Sequence, residues 1–208
     1  MNATTQFPWP GWTPQKTLVL PIPPERWPPP SSPVTVDGIT FQPKRELHVT
    51  LIGRGLGQSL HGEPGRRGFR VQSVREAFGK LDWDFSRTGQ YLRLEKRELA
   101  GRGRGRAIGA IIERIELPAL APFYDALADL LGHKLAIPPP HVTLFTAGRS
   151  QGIAVPDVPT LQRLAVRDVE VSELPDEAAA HSRERMDPER QARQPRAGGS
   201  ERHGHHRH

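Results

Sequence analysis

ELHVTLIG at 46–53 and PPPHVTLFTAG at 138–148 share the four residues His-Val-Thr-Leu, at 48–51 and again at 141–144, with the two histidines 93 positions apart. Both stretches are rich in β-formers and alternate apolar with polar side chains, so each reads as a strand. In an extended chain successive side chains point to opposite faces. His48 and Thr50 therefore share one face of their strand, and Val49 and Leu51 the other. His141 and Thr143 stand in the same way against Val142 and Leu144. Each strand has an apolar side for a helix to cover and an opposite side bearing an imidazole beside a hydroxyl.

The segments around each copy repeat the theme. KTLVL (17–21) reads as a short strand running into the proline-rich 21–33, which is expected to wrap the surface as extended chain. VTVDGITF (34–41) reads as a hairpin turning at Asp37-Gly38. Glycine and charge dominate 53–68, which reads as a loop. Val71, Val74, Phe78 and Leu81 then form one helical stripe. QYLRLEKREL (90–99) and RAIGAIIERIEL (106–117) read as two strands around a Gly/Arg turn. A helix follows, with Pro118 in its first turn, Leu120, Phe123, Leu127, Leu130 and Leu131 on one face, and Gly132 at its end. A short helix near 158–164 and a strand near 164–171 close the body. A small α+β unit is thus present twice, and the fold class expected is α+β, with two pseudo-symmetric sheet-plus-helix lobes around a central cleft.

Two lobes packed face to face would bring both imidazoles and both hydroxyls to one cleft, and that set suits attack on a phosphodiester. A neutral imidazole takes a proton from water or a hydroxyl while a protonated one gives a proton to the departing oxygen. A histidine pKa near 6.5 allows both states around neutrality. Such acid–base help is worth roughly 10²–10⁴-fold. Thr50 and Thr143 would donate to the non-bridging phosphate oxygens, where charge accumulates. Neither a metal nor another cofactor is required.

Both motif copies fit the His-hydrophobic-Thr/Ser-hydrophobic signature of the 2H phosphoesterases, the 2′–5′ RNA ligase-like or cyclic phosphodiesterase proteins, and the chain resembles that family over roughly 15–172. The resemblance implies a bilobal fold, His48 and His141 as the acid/base pair, and Thr50 and Thr143 as phosphate-binding hydroxyls. It also implies action on 2′,3′-cyclic phosphate RNA ends, 2′–5′ linkages or cyclic phosphates of ADP-ribose derivatives. The proline-rich approach and the long segments at 53–68 and 97–106 depart from the pattern. A non-catalytic RNA- or nucleotide-binding module using the same cleft is the alternative.

Composition narrows the classes further. The 208 residues include 29 Lys+Arg and 23 Asp+Glu, with 36% hydrophobic residues and a mean hydropathy of −0.56. Residues 176–208 hold seven of the basic residues, six of the acidic ones and five of the nine histidines, so the remainder has 22 basic against 17 acidic. That excess favours a polyanion such as RNA as partner. With no cysteine, thiolate nucleophiles, disulfides and Cys-ligated zinc drop out. Walker, GxGxxG, HExxH and Asp-rich metal motifs do not occur. MNATTQFPWPGW lacks a signal-peptide pattern and no apolar run reaches ~18–20 residues, so the expectation is a cytoplasmic monomer with no membrane partner.

Three further residues are candidate substrate contacts. If Leu92 and Leu94 face a helix layer, Tyr91 and Arg93 face the cleft, where an arginine can clamp a phosphate or simply lie on a solvated strand face. Strict alternation puts Phe145 beside His141 and Thr143, as a stacking platform or a cleft wall. His61 and His133 read as solvated surface residues. GRGRGR (101–106) reads as a soluble hairpin loop or an RNA-backbone tracker. Residues 1–14 are expected to be flexible, and 173–208 to be a disordered, charged, His-rich tail.

Overall fold

The computed structural model describes residues 7–62, 65–98, 106–176 and 178. It is a mixed α+β protein built on one eight-stranded antiparallel sheet, with strands β1 (Leu18–Ile22), β2 (Val34–Val36), β3 (Ile39–Pro43), β4 (Leu47–Ile52), β5 (Ser86–Glu98), β6 (Arg106–Glu116), β7 (His141–Ala147) and β8 (Ala165–Val169). The helices are α1 (Arg54–His61), α2 (Arg67–Gly79), α3 (Leu120–Leu131) and α4 (Val158–Leu164). The main path through the sheet is β1-β4-β7-β6-β5-β8, with β3 alongside the second half of β7 and β2 on β3. The two His-Val-Thr-Leu strands are immediate neighbours, and they run antiparallel with Val49 opposite Val142.

The alternation of each strand sorts its side chains to two faces. On one face Leu18, Leu20, Val49, Leu51, Ile111, Ile115 and Val142 pack against Leu60 of α1, Val74 and Phe78 of α2, and Phe123, Tyr124 and Leu127 of α3, the main core. On the other face Leu94, Ile108, Ala110 and Ile112 pack under Leu161 and Leu164 of α4 and under Ile153 and Val155 ahead of it. This second core covers only the β6–β5 side of its face.

Several expectations change here. Residues 54–61, read as loop, form α1. Its glycines obscured a helix whose Leu60 is fully buried, and Gly57 is required because a Cβ there would lie 1.7 Å from the Lys16 carbonyl oxygen. Pro118 precedes α3 instead of opening it. The expected flexible start is packed from Phe7 onward: Phe7 is buried, and Trp9 and Trp12 sit edge-on to Phe78 and His61 at 5.2 and 4.6 Å between ring centroids. At the other end the body continues past 172, since Leu174 and Ala178 join the core and Arg87 and Tyr91 both donate to the Ala178 carbonyl. Residues 1–6 and 179–208 and most of GRGRGR lie outside the described residues. Among the described residues no helix is long and apolar enough to cross a membrane.

Candidate active site

Val49 pairs with Val142 in an antiparallel register, so His48 and Thr143 flank that pair on one side and Thr50 and His141 on the other. All four polar side chains therefore lie on the face opposite the main core, crosswise about a local twofold axis through the valine pair. All four are half-buried. Convergence thus comes from two adjacent strands of a single sheet, a simpler arrangement than two facing sheets. The β4–β7 ladder is one residue pair long, so the strands diverge on either side of it.

The supports of β4 and β7 are built into the core face. Tyr124 of α3 donates its hydroxyl to the Leu51 carbonyl at 2.9 Å, tying α3 to β4. Burial pushes the Tyr124 hydroxyl well above its ordinary range, so it stays protonated and keeps donating. On β7 the register against β6 shifts between Ile112, opposite Thr143, and Ile111, opposite Phe145. Leu144 is the extra residue, a β-bulge.

That bulge corrects one expected contact. Beyond it Phe145 faces the main core with Ile111 and is fully buried, so it neither walls the site nor stacks on a ligand there. Tyr91 and Arg93 also leave the site. Leu92 and Leu94 do face a helix, but that helix is α4, on the histidine side, so Tyr91 and Arg93 point to the opposite face. There Tyr91 donates to the Ala178 carbonyl at 3.2 Å, and Arg93 pairs with Glu95 at 2.8 Å and Asp37 at 3.5 Å. His48, Thr50, His141 and Thr143 come together; Tyr91, Arg93 and Phe145 do not join them.

The two imidazoles differ in their surroundings. His141 Nδ1 lies 2.8 Å from the Pro139 carbonyl oxygen. A carbonyl only accepts, so Nδ1 carries the proton and Nε2 is left for chemistry. Burial lowers the His141 pKa, and the Pro139 carbonyl opposes that by favouring the charged ring. The His48 pKa is lowered by burial first, then by the positive charges of Lys44 and His141, with Glu46 acting the other way. The remaining body histidines have structural or surface roles. His61 bonds the Gly57 carbonyl within α1 and is partly buried beneath Trp12, correcting its expected solvated position, while His133 is exposed.

Three neighbours were not singled out from the sequence. Arg114 lies opposite His141 on β6, exposed on the histidine face, with its guanidinium near the Gln90 amide oxygen at 3.4 Å. Lys44 shares the parity of His48, a signal legible in the sequence. Gly152 closes over Thr143: a Cβ there would stand 3.0 Å from the Thr143 hydroxyl oxygen. Among the described residues no three His, Asp or Glu side chains gather as metal ligands.

No family model, curated protein or solved structure matches this chain.

Proposed function

We propose that the protein is a metal-independent phosphodiesterase that opens 2′,3′-cyclic phosphate ends or 2′–5′ linkages of RNA or nucleotides, with His48 and His141 as general base and general acid. In this reading the β4–β7 seam joins two pseudo-symmetric halves of a 2H-type fold. The observation that carries it is the crosswise placement of two His-x-Thr pairs on one half-buried face. A proton donor, a proton acceptor and two hydroxyl donors around one point are what in-line displacement at phosphorus needs. Arg114 adds a positive charge on the His141 side for the equatorial oxygens.

The neighbours also favour a division of roles. Burial lowers the pKa of both rings. Lys44 adds to that at His48, which suits the base that removes a proton from water or a ribose hydroxyl, while the Pro139 carbonyl opposes it at His141, which suits the acid that protonates the leaving oxygen. Thr50 and Thr143 hold the two non-bridging oxygens. Water as nucleophile gives hydrolysis; a sugar hydroxyl gives the transesterification that joins ends.

Turnover of 2′,3′-cyclic mononucleotides and of an RNA ending in a cyclic phosphate, in EDTA, tests this directly. Activity that survives the chelator and falls by roughly 10²–10⁴-fold in both His48→Ala and His141→Ala supports the reading. A wild type inactive on these and on 2′–5′ dinucleotides, yet binding RNA as well without its histidines as with them, would leave a binding module instead.

A further inference from the structure

A second feature on the histidine face lies beyond the two His-x-Thr pairs. Where β3 and β6 meet the end of β7, an open cavity of roughly 680 Å³ is lined by Lys44, Arg45, Arg106 and Arg149 together with Gln42 and Thr146. Glu46 is the single acidic residue in its wall. Thr146 pairs with Gln42 on one side and Ala110 on the other, and the bulge returns its side chain to the face carrying His141 and Thr143. Arg149 is fixed by Glu98 at 2.5 Å and by the Gly152 carbonyl at 2.9 Å, and Lys44 by the Ser150 carbonyl at 3.0 Å. Arg45 and Arg106 are exposed, and among the described residues neither forms an ion pair. Two fixed cations and two uncommitted ones thus face one hollow.

We propose that this cavity holds a second backbone phosphate of a single-stranded RNA whose reacting phosphate lies between His48 and His141, so that the preferred substrate is an oligonucleotide rather than a mononucleotide. This rests on the catalytic reading above. Thr143 pairs with Ile112 and Thr146 with Ala110, two residues apart on β6 because of the Leu144 bulge, about 7 Å at the rise of a strand, a gap that a short single strand bridges. Lys44 and Glu46 of the cavity wall precede His48 by four and two residues, and the Lys44 charge reaches that ring, so the cavity lies beside the acid–base pair. Cations, amide and hydroxyl groups line the hollow, and no aromatic ring does. It therefore grips phosphate and sugar, with no platform for stacking a base. The strand is held without regard to sequence.

The test uses the full chain and a labelled hexanucleotide ending in a non-reactive 3′-phosphate, titrated by fluorescence anisotropy across salt concentrations. The double variant Arg45→Gln/Arg106→Gln is compared with wild type and with Arg75→Gln/Lys80→Gln, which removes equal charge from exposed positions on α2 and at its end, on the opposite face. Loss of the two cavity cations is expected to weaken binding roughly tenfold at low salt. It also flattens the slope of log affinity against log salt by about 1.4, at ~0.7 per cation for single strands. The effect is the same for oligo-A and oligo-U, and the α2 control behaves as wild type. In turnover, the ratio of kcat/KM for the cyclic-ended oligonucleotide to that for the cyclic mononucleotide falls roughly tenfold. Unchanged affinity and slope in the cavity variant, or no binding by wild type, overturns the proposal. If nothing turns over while the binding results hold, the phosphate-binding cavity stands and the catalytic reading falls.

Discussion

β4 and β7 carry the same four residues, yet the fold gives the two copies different neighbours. β4 lies beside β1, which offers Val19 and the exposed Pro21 opposite Thr50 and His48. β7 lies between β4 and β6, is bulged at Leu144, has Gly152 against Thr143, and has its histidine bonded to the Pro139 carbonyl. A duplicated motif supplies two equivalent imidazoles; acid–base catalysis needs them inequivalent. The difference therefore lies in the surroundings: a lysine near one ring and a carbonyl acceptor on the other.

The largest expected effect is the loss of either histidine, which treats the two copies alike: each alanine variant costs roughly 10²–10⁴ in kcat/KM on a natural cyclic phosphate. The threonines should begin to separate the copies. Gly152 closes over Thr143 while Thr50 stands between β1 and β7 with no such glycine over it among the described residues, and a hydroxyl shielded from water donates more strongly. Thr143→Val is expected to lower kcat by about 10²-fold and Thr50→Val by less, measured by steady-state kinetics. Equal losses would show that the covering segment contributes nothing. Smaller still is Gly152→Ala, whose added carbon crowds the Thr143 hydroxyl at 3.0 Å. A several-fold fall in kcat/KM with an unchanged melting temperature is expected, and the corresponding crowding does not exist at Thr50.

The pH dependence probes the same asymmetry. Both histidines titrate below their ordinary 6.5. The singly protonated pair that the mechanism uses is thus most populated on the acid side of that value, where kcat/KM for the free enzyme should peak. For stability the sign is set by proton uptake. Below about 6.5 the unfolded chain binds more protons at these sites than the folded one, so stability falls as pH drops through that window. Urea melts from pH 7.5 to 5 should show this slope, reduced in His48→Ala and in His141→Ala. A profile peaking on the alkaline side, or a slope of opposite sign, would count against the assigned environments.

Much of this site is legible in the letters. Alternation alone puts His48 with Thr50 and His141 with Thr143, and the register of β4 on β7 keeps those pairs on one face. What alternation cannot supply is the effect of an inserted residue. Leu144 bulges, and every side chain after it changes face relative to a regular strand, which removes Phe145 from the site. Tyr91 and Arg93 failed for another reason. Helices lie on both faces of this sheet, so leucines under a helix do not say which face is open. Glycine content masked α1, because Gly57 serves a close contact with the Lys16 carbonyl that only the tertiary structure reveals.

The most direct measurement compares a cyclic phosphate bearing a poor leaving group with a nitrophenyl phosphodiester, whose leaving oxygen needs no proton, in wild type and in both single-histidine variants. His141→Ala should recover most of its loss on the activated ester, while His48→Ala should remain impaired on both substrates. Equal recovery in the two variants, or recovery in His48→Ala alone, would contradict the division of His48 as base and His141 as acid.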